Sequence, residues 1–302
     1  PFTGTSLGST LNLNYINEIK DENTITRDYL YQIVKNNYVL NFIKSRGYRY
    51  IHFNTGYSLT SKNKYADINL GDEGVFGSEF NKIYFQTSMI NPFAKRIEKY
   101  FSGEKGFIND SRKRIESILD QLVELPLKYN DKPKFIFSQI VSPHPPFLFY
   151  ENGEPRFDLG DLPTIKNYSL AIVKDAYIQQ LKFLNKKIIS VIDKIIINSN
   201  KPPVIILQAD HGFIWDVDWW LDYKWDGPDS TFIAQQYSIL NAHYIPDNSK
   251  AYEPVTPVNT FRAIFNKFFN TNFEILDDKI YYTHWNRSPY IIKKIEPNPF
   301  IP

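Results

Sequence analysis

This 302-residue chain predicts an α/β fold, a three-layer α/β/α sandwich with a mostly parallel central sheet. Three observations predict it. Short apolar runs bounded by turn residues alternate with longer stretches of helical periodicity. One of those runs, Val204 to Gln208, is apolar almost throughout, as a strand is when helices cover both faces of a parallel sheet. His52, His144 and the pair Asp210-His211 each fall at or just past the end of a predicted strand, where ligands gather in such sheets. These histidine-bearing segments are therefore expected to converge on one edge.

Taken in order, residues 5–20 predict a helix with Leu7, Leu11, Tyr15 and Ile16 on one face. Residues 26–46 predict a second helix ending near Gly47, and Tyr48 to Phe53 a short strand followed by a polar loop to about Gly77. Asp110 to Glu124 has the charge spacing of an exposed helix. Lys134 to Ile140 predicts a strand running into the stiff Ser142-Pro-His-Pro-Pro146 segment. Residues 170–198 predict the longest helix, with Tyr177, Leu181, Leu184, Ile188, Val191 and Ile195 along one stripe. After the strand at Val204–Gln208, a further strand is expected near 236–245 and a helix from Pro257 to Phe269, with proline at its start. No repeat and no Pro/Gly/Ser linker interrupts the chain, so one domain over 1–302 is expected.

Composition narrows the functional classes. With 42% hydrophobic and 23% charged residues the chain can bury a large core. A net charge of +2 without a long basic run argues against nucleic acid as a partner. The absence of cysteine excludes disulfides, thiolate nucleophiles and Cys-zinc sites, and leaves the compartment open. No apolar run reaches 18 residues, so no segment of residues 1–302 reads as a membrane span. The opening Pro1-Phe-Thr-Gly reads as the interior of a domain, whose upstream part, with any targeting segment, is expected to precede Pro1.

Asp210-His211-Gly212 carries the most chemistry. A strand ending in a carboxylate and an imidazole presents a hard oxygen and a borderline nitrogen, a pair suited to Mn²⁺ or Zn²⁺. The glycine permits a sharp turn or a close approach. The alternative is a strand end closed by polar residues. Thr3 and Gly4 stand at a predicted helix N-terminus, where backbone amides favour a phosphate and a hydroxyl can act as nucleophile beside a metal. Thr3, Thr5 or Ser6 would serve equally as an ordinary cap. His144, fixed between prolines, is suited to a hydrogen bond with a phosphoryl oxygen or to plain loop packing. His52 leads into a loop rich in hydroxyls and amides that would line a polar pocket or merely face solvent. The run from Trp215 to Asp222 fits a sugar- or headgroup-contacting rim, or an interaction loop. His243 and His284 read as structural or surface residues.

Four segments together resemble the alkaline phosphatase/sulfatase superfamily. They are Phe2-Thr-Gly-Thr-Ser-Leu-Gly-Ser-Thr-Leu-Asn12, Phe135-Ile-Phe-Ser-Gln-Ile-Val-Ser-Pro-His-Pro-Pro-Phe147, Ile205-Ile-Leu-Gln-Ala-Asp-His-Gly212 and Pro254-Val-Thr-Pro-Val-Asn-Thr-Phe-Arg262. The chain is most similar to the membrane-anchored branch with lipoteichoic acid synthase and phosphoglycerol or phosphoethanolamine transferases. The resemblance implies an alkaline-phosphatase-like sandwich. It implies Thr3 as the metal-bound nucleophile, with Thr5 as runner-up, and Asp210 and His211 as metal ligands. His144, His52 and Gly4 become substrate contacts. One divalent ion is implied, Mn²⁺ or Zn²⁺, with Mg²⁺ as a further option.

The chain departs from the family pattern in three ways. The strand carrying an upstream acidic ligand does not fall within residues 1–302, Gln139 stands where relatives often have His, and no histidine pair suggests a second metal. Without cysteine or a C/S-x-P-S-R motif, formylglycine-dependent sulfate-ester hydrolysis is disfavoured. The expected activity is a metal-dependent phosphotransferase or phosphodiesterase, acting on a phospholipid headgroup or a glycan-linked phosphodiester. The expected setting is the extracytoplasmic face of the cell membrane, through an N-terminal anchor upstream of Pro1. A soluble phosphodiesterase or phosphatase, a cytosolic mutase, and a silent domain binding glycan or protein are the alternatives.

Overall fold

A computed structural model describes residues 2–19, 25–71, 106–159, 167–213, 230–246, 256–283 and 292–295. In chain order, α1 (Thr3–Leu11), α2 (Ile16–Ile19), α3 (Arg27–Lys35) and α4 (Tyr38–Ser45) precede β1 (Arg49–Phe53) and β2 (Ile68–Leu70). Helix α5 (Gly106–Glu124), β3 (Lys134–Phe137), α6 (Leu170–Asn198) and β4 (Ile205–Gln208) follow. The remaining elements are α7 (Ser230–Tyr237), β5 (Asn241–Tyr244), α8 (Thr260–Phe269), β6 (Tyr281–Thr283) and β7 (Ile292–Lys294). Residues divide into two compact units, 47–201 and 1–46 with 202–302.

Two predicted helices are each broken in two by asparagine. The helix expected over 5–20 stops at Leu11, because the Asn12 side chain donates to Gly8 O at 2.8 Å and to Ile33 O at 3.1 Å. Leu13 then takes a left-handed φ of 59°, which ends the helix. The helix expected over 26–46 divides at Asn36–Asn37, where Asn37 Oδ1 caps α4 by accepting from Leu40 N at 2.8 Å.

In the unit of residues 47–201, β1 is the centre of a parallel sheet of order β2-β1-β3, with Ile51 opposite both Ile68 and Ile136. The α/β class with a parallel sheet and helices is thus as predicted. Alternation sends Ile51 and Phe53 to one face, where they pack with Ile118 and Leu125. Helix α5 turns its other side, through Ile115 and Leu119, toward Leu184 and Val191 of α6. Tyr50 and His52 occupy the opposite face, stacked on Phe135 and Phe137 at 5.6 Å each. The stripe on α6 lies a little round from the predicted one: Val173, Ala176, Gln180, Leu184 and Val191 are the buried positions. Gln180 belongs there because its side-chain oxygen accepts from Leu148 N.

In the other unit, β4 pairs antiparallel with β5, Ile206 facing His243, and not within a parallel sheet as expected. The reason lies in the return path. Gln236, near the end of α7, accepts a hydrogen bond from Gly212 N at 2.9 Å, and Leu240 O accepts from Ala209 N at 2.8 Å. The chain therefore comes back beside the end of β4 and runs against it. The strand expected near 236–245 is accordingly the last turn of α7 followed by β5. The helix predicted from Pro257 opens with a 3₁₀ turn, Pro257–Asn259, before α8. Among the described residues no helix is long and apolar enough to cross a membrane.

Candidate active site

Beyond β4 the chain forms a small hydrogen-bonded turn around Asp210, His211 and Gly212. His211 Nδ1 lies 2.8 Å from Gly212 O. A carbonyl can only accept, so Nδ1 carries a proton, and in the neutral ring Nε2 presents a lone pair. Asp210 Oδ1 accepts from His211 N at 3.0 Å, while Asp210 Oδ2 stands 3.8 Å from His211 Nε2. The carboxylate oxygen and the unprotonated nitrogen thus lie close enough to share one cation. The glycine has its own reason. A Cβ at Gly212 would fall 1.8 Å from the backbone oxygen of Gln235, so only glycine allows α7 this close.

Gln236 completes the turn and was missed in the sequence. It is 1% exposed and donates through Nε2 to Gly212 O at 3.0 Å, the same acceptor that fixes the His211 tautomer. Such outer partners orient metal-ligating imidazoles. Nothing in a glutamine 24 residues downstream signals this role. Only the packing of α7 reveals it.

Thr3 is the first residue of α1, in the same unit as Asp210 and His211. The two candidate hydroxyls now separate. Thr5 Oγ1 accepts from Phe2 N at 3.4 Å and donates to Phe2 O at 3.0 Å, which makes Thr5 the capping side chain. Among the described residues Thr3 makes no such capping bond, and as the half-buried first residue of α1 it belongs to the turn whose backbone amides lack helical partners. Gly4 brings that turn close to Leu30 Cδ1, which a Cβ would meet at 3.2 Å. Strand β4 reaches the same helix through Gln208 Nε2, 3.5 Å from Thr10 Oγ1.

The unit of residues 47–201 carries the other two histidines. His144 is exposed, and its Nδ1 lies 2.6 Å from Pro145 O, in a segment with cis bonds before Pro143 and Pro146. His52 is only 3% exposed. Its Nε2 faces Thr60 O at 3.0 Å and Ser61 O at 2.9 Å, and its Nδ1 lies 2.8 Å from Tyr50 Oη. Two carbonyls require a proton on Nε2, so Nδ1 accepts from the tyrosine. Both ring nitrogens thus have partners within the unit, and a substrate contact by His52 rests on the resemblance alone. Gln139 is likewise used internally, accepting from Thr60 Oγ1. His243 sits on β5, 3.0 Å from Asn241 Oδ1, and burial pulls its pKa down. Trp215 to Asp222 and His284 lie outside the described residues.

The donor set fits a divalent ion in kind: one carboxylate, one neutral imidazole fixed by a hydrogen bond on its far nitrogen, and a hydroxyl at a helix N-terminus in the same unit. It is incomplete in number. Among the described residues no group of three or more His, Asp or Glu is placed to hold a metal.

Comparison with known proteins supplies the family. A family model described as Sulfatase matches residues 5–253, a span that includes Asp210-His211-Gly212 and starts two residues after Thr3. No curated protein and no solved structure matches the chain. The chain belongs to the sulfatase family, in the alkaline phosphatase/sulfatase superfamily, whose enzymes transfer or hydrolyse phosphoryl and sulfuryl esters and generally use a divalent metal.

Proposed function

We propose that this chain is a metal-dependent phosphotransferase or phosphodiesterase that works through a covalent ester on Thr3. Its substrate would be the phosphodiester of a phospholipid headgroup or of a glycan. The observation that supports this most is the presentation of Asp210 Oδ2 and the unprotonated His211 Nε2 within 3.8 Å of each other. Asp210, His211 and Thr3 would hold a single divalent ion, Mn²⁺ or Zn²⁺. When bound, such an ion supplies Lewis acidity that favours the threonine alkoxide at neutral pH.

The remaining chemistry falls to the chain. Thr3 Oγ gives up its proton to solvent and attacks phosphorus, the bond from phosphorus to the leaving alcohol breaks, and that alcohol's oxygen takes a proton from solvent. The phosphoryl-bearing group stays on Thr3. Amides of the first turn of α1, including Gly4, face charge developing on the non-bridging oxygens. A second hydroxyl then attacks the same phosphorus and frees Thr3: a glycan hydroxyl gives transfer, water gives hydrolysis. A phosphate contact by His144 and a setting on the extracytoplasmic face of the membrane rest on the resemblance alone and belong to this proposal.

The test is metal content and cleavage of bis-p-nitrophenyl phosphate for the full-length protein beside Thr3→Ala and Asp210→Ala. Thr3→Ala should still bind metal through Asp210 and His211, more weakly, and lose turnover by orders of magnitude, and Asp210→Ala should lose both. Wild-type turnover in Thr3→Ala would remove Thr3 as nucleophile. No bound metal and no turnover in the full-length protein would instead favour a silent binding domain. A phospholipid donor offered with and without a sugar acceptor separates transfer from hydrolysis.

A further inference from the structure

The exit of α1, a nine-residue helix that is largely buried, is held by a set of directional hydrogen bonds. Arg262, on α8, donates through Nε to Leu13 O at 2.7 Å and through Nη1 to Glu274 O at 2.7 Å. Leu13 is the left-handed residue that terminates the helix. Two residues on, Tyr15 Oη accepts from Lys279 N at 2.8 Å and donates to Asp277 O at 2.8 Å. On its other side Asn12 Oδ1 accepts from Tyr38 N at 3.0 Å. The carbonyl-bearing segment is itself held by Asn259, fully buried, which exchanges two hydrogen bonds with the backbone of Leu276 at 2.8 and 2.9 Å. At the entrance of α1, Phe2 packs with Ile16, Ile25, Leu30 and Ile292, and the Thr5 hydroxyl bonds the Phe2 backbone within the first turn. The directional bonds that tie α1 to α8 and to the segment around Asp277–Lys279 lie at its exit, and Thr3 stands at the other end.

We infer that Arg262 is a positioning residue for Thr3, setting the place and axis of α1 through its fork on Leu13 and Glu274. A nine-residue helix is a rod of about 13 Å, so a shift or tilt at its exit is carried to its first residue. Arginine suits the task because its planar fork fixes two carbonyls at once, where lysine holds a single point. This inference rests on Thr3 being the nucleophile, and its test separates the two.

Arg262→Lys and Arg262→Ala are compared with wild type and Thr3→Ala in the full-length protein, by melting temperature, by amide hydrogen exchange over α1, and by kcat and KM on bis-p-nitrophenyl phosphate. Arg262→Lys, which keeps the charge, should remain folded, exchange faster along α1, and lose about 10- to 100-fold in kcat with KM little changed, the scale of an ångström misplacement. Arg262→Ala should lose more, with lysine recovering part of it. A folded Arg262→Lys with wild-type kcat, or one whose loss only follows its folded fraction while α1 exchange is unchanged, overturns the inference. If Thr3→Ala keeps wild-type turnover, the nucleophile reading falls with its positioning residue. Faster α1 exchange in Arg262→Lys would then support only the structural clamp.

Discussion

Gln236 and His211 donate to one acceptor, the carbonyl of Gly212, at 3.0 and 2.8 Å. The amide therefore competes for, and helps to place, the oxygen that keeps the imidazole proton on Nδ1. Gly212 N returns a bond to Gln236 O at 2.9 Å, so the contact is reciprocal. Replacing Gln236 by Met keeps the volume and removes the donor. Affinity for Zn²⁺ or Mn²⁺, measured by titration calorimetry, should fall about 10- to 100-fold. Unchanged affinity would mean that His211 is oriented without it.

Gly212→Ala should be among the most damaging single methyl additions in the chain. Its Cβ would meet backbone oxygen at 1.8 Å, and no side-chain rotation relieves that. A loss of about 3 kcal/mol or more is expected, at the upper end of overpacking. Gly47→Ala is the control: φ is +82° but nothing lies within 4 Å, so only the backbone cost of about 1 kcal/mol should appear. Urea midpoints of the two variants compare them directly.

Thr5 and Thr3 should fail differently. Thr5→Ala removes the side chain that both accepts from and donates to the Phe2 backbone. It should cost about 1 kcal/mol of stability, as lost caps do, and retain metal-dependent turnover. Thr3→Ala should do the reverse. Loss of turnover in a folded Thr5→Ala, with Thr3→Ala active, would exchange the two assignments.

Acid should destabilise the unit of residues 1–46 and 202–302 through His243. Burial holds its pKa below the ordinary 6.5, so the folded form favours the neutral ring. The unfolded chain binds the extra proton first, and stability present above pH 6.5 is lost as pH falls through that value toward the lower folded pKa. Urea midpoints at about pH 7.5 and about pH 5.5, on either side of that value, should differ more for wild type than for His243→Gln. Equal differences would assign the acid response elsewhere.

What was legible in the sequence was whatever repeats at fixed spacing or depends on one residue type. The α6 boundaries, the β1 and β3 runs and the strand before Asp210 follow from hydrophobic pattern alone. The breaks at Asn12 and Asn36–Asn37 were not legible, because apolar residues continue in phase across them and only the side-chain amides divert the backbone. The antiparallel sense of β4 was hidden too. A strand of four residues reads the same whichever way its neighbour runs, and the neighbour's direction was set by a return through α7. At the candidate site, Asp210, His211 and Thr3 could be singled out from the sequence by residue type and by their place at a strand end or helix start. Gln236 and Arg262 could not, since each acts through a backbone carbonyl chosen by the fold. The internal partners of His52 were not legible, because a buried imidazole bonded to backbone carbonyls and a ligand-facing one look identical in a string of letters.

Arg262 binds carbonyls of Leu13 and Glu274, and Asn259 binds the backbone of Leu276. Every bond in this cluster runs from a particular side chain to a group that all residues share. Tolerance to substitution should therefore be lopsided across each contact. Positions 259 and 262 should accept almost no replacement, whereas Glu274, exposed and hydrogen-bonded to Arg262 through its carbonyl, should accept most residues, its carboxylate adding only a charge attraction to the guanidinium. In a deep substitution scan the two ends of one hydrogen bond would then look unrelated, and covariation between them would be absent although they touch.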